Sequence, residues 1–194
     1  DTMCDLLRAI GAQVVRQRGS ALSVDPRPIA CTRLPERLVR CMRASVQVLG
    51  PLLARFGEVQ MPYPGGCPIG SRPIDLHLKG LAAMGAQFSE EHGVIRGRAN
   101  RLVGTEIHLD FPSVGATENL MAAACMATGT TVIRNAAREP EIVDQQNFLT
   151  RLGAQIRGAG TDTIRITGMP ELGNTAYPVM PDRIQAGTYM IAAA

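Results

Sequence analysis

An α/β fold built from repeated two-helix, roughly four-strand modules of about 70 residues is what this sequence predicts. Three observations predict it. First, an apolar helical stretch meets Gly-Ala-Gln three times, ending at Gln13, Gln87 and Gln155, copies that lie 74 and 68 residues apart. Glycine there relieves the left-handed strain of a helix end. Second, each copy is followed by a short alternating segment that reads as a strand: Val14-Val15-Arg16, Phe88-Ser89-Glu90 and Ile156-Arg157. Third, a second helix recurs in the same frame. Arg43-Ala44-Ser45 opens an apolar run to Phe56 closed by Gly57, and Gly115-Ala116-Thr117 opens the run 120–127 closed by Gly129. Gly187-Thr188 opens the last run, and corresponding glycines are offset by 72 in each case. A short extended stretch precedes each second helix: Ile29-Ala30-Cys31, Ile107-His108-Leu109 and Tyr177-Pro178-Val179. The period is far longer than a solenoid repeat, so each module contributes a small sheet and two helices to a shared core.

Composition bounds the function. With 194 residues, 45% hydrophobic and 19% charged, the chain is globular and suits one domain, or one and part of a second. Aromatic content of 4% with no Trp argues against base stacking on rings. The net charge of +3 is spread along the chain, which is the footprint of neither a nucleic-acid nor a membrane partner. Almost every cation is Arg, with Lys79 the single Lys. Planar guanidinium groups suit phosphates and carboxylates, although genomic base composition is the weightier explanation of the bias. Five cysteines (Cys4, Cys31, Cys41, Cys67, Cys125) form no CxxC pair and no zinc spacing, so no metal is expected. They read as free thiols of a reducing cytoplasm, with Cys4, Cys41 and Cys125 inert on apolar helical faces. No stretch resembles a secretory signal or approaches the ~20 apolar residues of a membrane span. Residues 1–10 and 191–194 both read as mid-helix, which predicts a fragment of a longer soluble protein.

The chemistry concentrates in one connection. Residues 62–73 hold four prolines and three glycines, a composition incompatible with helix or central strand. Long connections of this kind are often lids or binding loops. Cys67 lies at its tip beside Gly65 and Gly66, with Arg72 and the helix expected over 74–84 close enough to favour the thiolate. Asp75 reads as a helix cap, a first-turn acid or an acceptor for a ligand. His77 reads as a proton carrier or, more simply, a structural histidine. Arg43 opens a helix against its dipole, the combination of an anion site. Ser113 and Val114 hold the same place in the next module, where Ser113 also reads as an ordinary N-cap. Arg138-Glu139-Pro140-Glu141 opens the third Gly-Ala-Gln helix and reads as a solvated cap.

The stretch Pro64-Gly65-Gly66-Cys67-Pro68-Ile69-Gly70-Ser71-Arg72-Pro73-Ile74-Asp75-Leu76-His77, preceded by Met42-Arg43-Ala44-Ser45, strongly resembles the UDP-N-acetylglucosamine 1-carboxyvinyltransferase family of enolpyruvyl transferases. Ser113-Val114-Gly115-Ala116-Thr117, the stretch from Asn135 to Asp144, and Pro181-Asp182-Arg183-Ile184 extend the likeness over essentially the whole chain. The resemblance implies an inside-out α/β barrel of two similar domains, each of three modules, with residues 1–180 in the first and 181–194 opening the second. It implies a cytoplasmic bacterial enzyme without cofactor. Such an enzyme moves the enolpyruvyl group of phosphoenolpyruvate to the 3-hydroxyl of UDP-N-acetylglucosamine, the first committed step of peptidoglycan synthesis. By the same resemblance Cys67 is the general acid and the site of a phospholactoyl adduct, and Arg43 and Arg72 hold substrate anions. Arg72, Pro73, Ile74, Asp75 and Leu76 contact the sugar nucleotide, Ser113 and Val114 its diphosphate and uridine, and Asp182 and Arg183 the interdomain cleft. Phe111-Pro112 stands where some members carry a lysine, which puts one phosphate contact in question.

Two other functions fit parts of the pattern. A 5-enolpyruvylshikimate-3-phosphate synthase shares the implied fold, but lacks the Gly-Gly-Cys lid. A non-catalytic sugar-nucleotide-binding paralog would keep the scaffold and lose turnover.

Overall fold

The computed structural model describes residues 1–66 and 73–194. In chain order, α1 (Thr2–Ala9) leads into the hairpin β1 (Gln13–Arg16) and β2 (Leu22–Asp25), followed by a short helix α2 (Glu36–Cys41). A 3-10 helix (Arg43–Val48) runs directly into α3 (Leu49–Phe56) and then β3 (Glu58–Pro62). Helix α4 (Asp75–Ala83) precedes the hairpin β4 (Gln87–Glu91) and β5 (Val94–Arg98), then β6 (Glu106–His108), α5 (Val114–Ala124) and β7 (Thr130–Arg134). The chain continues through α6 (Pro140–Arg151), the hairpin β8 (Gln155–Arg157) and β9 (Thr163–Thr167), and α7 (Arg183–Ala193).

The three Gly-Ala-Gln signals mark helix ends as expected. Gly11, Gly85 and Gly153 take φ of 111°, 99° and 104°, a region open to glycine at little cost. Each is followed by an antiparallel hairpin. Two of the hairpins join larger sheets. In β3-β5-β4, Gln60 faces Arg96 and Phe88 faces Gly97. In β6-β7-β9-β8, Ile107 runs parallel to Ile133, and Val132 faces Arg165 across an antiparallel pair. Arg33 bridges in parallel to Gln60, taking beside β3 the place β6 takes beside β7. The unit that shares a sheet is therefore strand, helix, strand, helix, hairpin. It has the expected period, but its phase starts at the extended stretch and not at the Gly-Ala-Gln helix.

Two of the three extended stretches are not strands. Ala30 and Cys31 both donate their amides to the Ile10 carbonyl, each at 3.3 Å, so the backbone there closes the end of α1. Residues 177–179 are irregular, with the Tyr177 hydroxyl bonded to the Asp144 carboxylate at 2.8 Å.

Alternation on the strands turns Val59, Met61, Ile95, Ile107, Ile133, Ile164 and Ile166 into one core with the helices. Helix α5 is buried nearly all round and lies between α3 and α4. Both contacts depend on a missing side chain. A Cβ on Gly80 would stand 2.5 Å from Leu120 Cδ1, and one on Gly50 would stand 2.3 Å from Asn119 Oδ1. Cys4 and Cys125 are buried as expected, and burial pushes the Cys125 thiol up to about 12. Cys41 is exposed, because α2 ends there and Met42 turns to extended backbone. Hairpin β1-β2 leaves Val15, Leu22 and Val24 exposed.

Candidate active site

Three chain segments expected to carry site residues start near one another. The first is the 3-10 helix, which opens at Arg43 after extended Met42. Arg43 Nη2 donates to the Pro73 carbonyl at 2.8 Å, joining this helix to the approach of α4 across 30 residues of sequence.

The stem of the glycine-rich connection is fixed onto the same region. Tyr63 donates its amide to Gly93 and its hydroxyl to Glu90, and the Gly65 amide donates to the Val39 carbonyl at 3.2 Å. A Cβ on Gly65 would fall 1.8 Å from the Arg40 carbonyl oxygen. Glycine at 65 thus lets the connection pass over the end of α2, a packing reason that its sequence neighbourhood did not disclose. Cys67 and Arg72 lie outside the described residues.

The second segment is the start of α4. Ile74 is the cap position, with no side-chain cap bond, and Asp75 is the first helical residue. The capping role considered for Asp75 is thus replaced by that of a first-turn acid, favourable against the helix dipole. Pro73 and Asp75 are exposed, whereas Ile74 and Leu76 are 2% and 4% exposed. The side chains of the latter two belong to the core.

The third segment is the start of α5, where Ser113 is the N-cap and its Oγ accepts the Ala116 amide at 3.3 Å. Val114 opens the helix, half-buried. Pro112 lines a shallow open cleft with Ala136, Arg138 and Glu139, and Phe111 is exposed beside it.

Buried polar groups link these three starts. Asn119 Oδ1 accepts the Gly50 amide at 2.8 Å, while Nδ2 donates to the Val46 carbonyl at 2.8 Å and to His77 Nδ1 at 3.0 Å. The two backbone partners fix the amide's orientation. His77 Nδ1 is therefore an acceptor, and the ring proton sits on Nε2. A Cβ on Gly115 would lie 3.5 Å from His77 Nε2, so the imidazole edge lies against the first turn of α5. Burial, and secondarily the Arg43 charge, push His77 down to about 4, with Asp75 opposing. The ring is uncharged at neutral pH, which favours the structural reading over the proton carrier. Gln47 Nε2 adds a second link, donating to Glu118 at 2.7 Å and to the Gly115 carbonyl at 3.2 Å. Burial, with Glu141 nearby, raises the Glu118 carboxyl above its usual range. Contacts such as Asn119–His77 join residues 42 positions apart, and no local pattern in the sequence signals them.

Asp182 and Arg183 are engaged within the chain. Asp182 caps α7 by accepting the Ile184 and Gln185 amides at 2.8 and 3.2 Å. Arg183 grips Glu141 through Nε and Nη2 at 2.9 and 2.8 Å, holding that carboxyl below its ordinary range. The charges expected to be a solvated cap are thus partnered, with Arg138 likewise on Asp162 at 3.2 Å. Among the described residues no group of three His, Cys, Asp or Glu is placed to hold a metal. No helix among them is long and apolar enough to cross a membrane.

Curated relatives agree closely in sequence. The chain is 57% identical over 192 residues to UDP-N-acetylglucosamine 1-carboxyvinyltransferase 1 of Carboxydothermus hydrogenoformans, covering 99% of this chain and 45% of that protein. It is 54% identical over 194 residues to UDP-N-acetylglucosamine 1-carboxyvinyltransferase of Geotalea uraniireducens, covering 100% of this chain and 46% of that protein. The chain thus spans about half the length of the curated relatives it matches. Among solved structures, the enolpyruvyl transferase NikO from Streptomyces tendae superposes with TM-score 0.85 at 24% identity, covering 98% of this chain and 46% of that one. EPSP synthase from Acinetobacter baumannii superposes with TM-score 0.73 at 20% identity, covering 100% of this chain and 44% of that one. At those identities the likeness is one of fold, a mixed α/β architecture. The family model for EPSP synthase (3-phosphoshikimate 1-carboxyvinyltransferase) matches residues 1–194 from end to end, and the chain belongs to that family.

Proposed function

We propose that this chain is part of an enzyme that transfers the enolpyruvyl group of phosphoenolpyruvate to the 3-hydroxyl of UDP-N-acetylglucosamine, releasing phosphate. In this reading it serves peptidoglycan synthesis in the cytoplasm. The observation that carries the proposal is the convergence of Arg43, the start of α4 and the start of α5 through the Arg43–Pro73, Asn119–His77 and Gln47–Gly115 bonds. A cation beside the positive ends of two helix dipoles is what a sugar nucleotide and an enol phosphate require. The names of the relatives above support the same substrates over the shikimate branch, as does Cys67 in its Gly-Gly-Cys setting.

In this reading Cys67 donates its proton to the methylene carbon of phosphoenolpyruvate, and the adjacent carbon becomes an oxocarbenium-like electrophile. The sugar hydroxyl attacks that carbon and gives up its proton to a base or to solvent. The carbon protonated first is now a methyl group, and loss of phosphate with return of one methyl proton to the Cys67 thiolate restores the enol ether. The thiolate left after the first transfer can instead attack the same carbon, giving the phospholactoyl adduct. Arg43 and Arg72 hold anionic groups. Pro73 and Asp75 with the backbone of Ile74 and Leu76, and Ser113 with Val114, bind the sugar nucleotide. Asp182 and Arg183 lie where residues 1–180 pass into a second domain, and the two halves form an inside-out α/β barrel pair.

Phosphate release by the full-length protein, with both substrates present, tests the reading. Cys67→Ser should abolish release, since a hydroxyl is a far weaker acid than a thiol. Undiminished release by that variant removes Cys67 from the reaction. Fosfomycin, an epoxide, should alkylate the same residue.

A further inference from the structure

We propose that His77 and Asn119 are positioning residues for the sugar-nucleotide half of the site: one hydrogen bond between them sets the distance between the starts of α4 and α5. The inference rests on the enolpyruvyl-transfer reading above and extends it to two residues outside the expected binding strips.

The geometry carries it. Asn119 is fully buried and satisfies three partners on three different segments. Two of them, the Val46 carbonyl and the Gly50 amide, belong to the helix pair that opens with Arg43. The third, His77 Nδ1, lies on α4 two residues after Asp75. Asn119 itself stands on α5, five residues after Val114. A single carboxamide thus meets all three elements whose starts make up the candidate site. Such placement is specific in a way that apolar packing is not, because a hydrogen bond weakens steeply with distance and angle. His77 completes the contact from the α4 side. Its Nδ1 is held as the acceptor and its opposite edge lies against Gly115, so the ring fills the space between the two helix starts. Neither side chain needs to touch a substrate. Moving the α4 start relative to the α5 start would separate Pro73 and Asp75 from Ser113 and Val114, the residues that bind one ligand between them.

Three variants of the full-length protein test this. His77→Phe keeps a flat ring and removes the acceptor. His77→Gln keeps a polar side chain but reaches past the Nδ1 position. His77→Asn puts a carboxamide oxygen close to where Nδ1 stands. The Phe and Gln variants should raise KM for UDP-N-acetylglucosamine about tenfold while changing kcat less than about threefold, the scale expected of a small misplacement. The Asn variant should recover to within about threefold of the parent. A purely structural histidine predicts lower melting temperatures with KM unchanged in the folded fraction. A folded Gln or Phe variant with the parent's KM overturns the proposal, and so does an Asn variant that shows no recovery. Calorimetric binding of UDP-N-acetylglucosamine separates the two readings. A parent that binds the sugar nucleotide but releases no phosphate counts against enolpyruvyl transfer, and the pair is then judged by the same tenfold change in Kd. A parent that binds nothing overturns both.

Discussion

Acidification should destabilise this protein through His77 before it affects most carboxylates. The buried imidazole is held down to about 4, against an ordinary 6.5 in the unfolded chain. Because the folded value is the lower one, the unfolded chain takes up the proton first. The stability His77 contributes is intact above pH 6.5 and is lost as pH falls towards 4. The full difference corresponds to about 3 kcal/mol, of which about 1 kcal/mol should disappear between roughly pH 7.5 and 5.5. Other groups titrate nearby with their own signs. Glu118, whose carboxyl is raised, takes up its proton in the folded state and opposes the loss. Glu106 and Glu141, both held low by arginines, weaken the fold only once pH falls below their ordinary 4.5. Comparing the parent with His77→Asn cancels these shared contributions. The assay is urea unfolding followed by far-UV circular dichroism at stepped pH, with the parent losing stability faster than the variant on acidification. Parallel curves for the two proteins would refute the assignment of a buried neutral imidazole.

Further outcomes follow from particular contacts. Gly50→Ala places a methyl 2.3 Å from Asn119 Oδ1 and should cost on the order of 3 kcal/mol, read as a lowered melting temperature. Thr131 is fully buried, with a hydroxyl that finds no partner among the described residues, so Thr131→Val should raise stability by about 1 kcal/mol in the same assay. Mass-spectrometric mapping of maleimide labelling should find Cys31 and Cys41 modified in the native protein and Cys125 only after unfolding. Gly65→Ala should lower phosphate release more than it lowers the melting temperature, because the clash with Arg40 displaces the stem of the connection. An unchanged rate would show that the stem does not position the loop.

How much of this was legible depended on whether the signal was local. The Gly-Ala-Gln helix ends and the hairpins after them could be read because glycine conformation and alternation are properties of a few adjacent residues. Two of the three extended stretches failed as strands for a physical reason. At 29–31 the amides of Ala30 and Cys31 found an acceptor in Ile10 and that of Ile29 one in Pro26, and at 177–179 the chain is held by a side-chain bond from Tyr177 to Asp144. The Arg43, Asp75 and Ser113 positions were found from helix-start chemistry, although Asp75 turned out to lie inside the helix and not to cap it. Asn119, Gln47 and Glu118 were missed. Their partners are 69, 68 and 71 residues away, and no spacing rule along one element can anticipate a contact made when two modules dock.

The phase of the modules has a consequence for synthesis. Each larger sheet draws its strands from one unbroken stretch of chain, residues 58–98 for the first and 106–167 for the second. As the polypeptide leaves the ribosome, β3 need wait only for β5, and β7 only for β9. Each module can therefore close its own pairing before the next emerges, which limits the time that bare strand edges are open to aggregation.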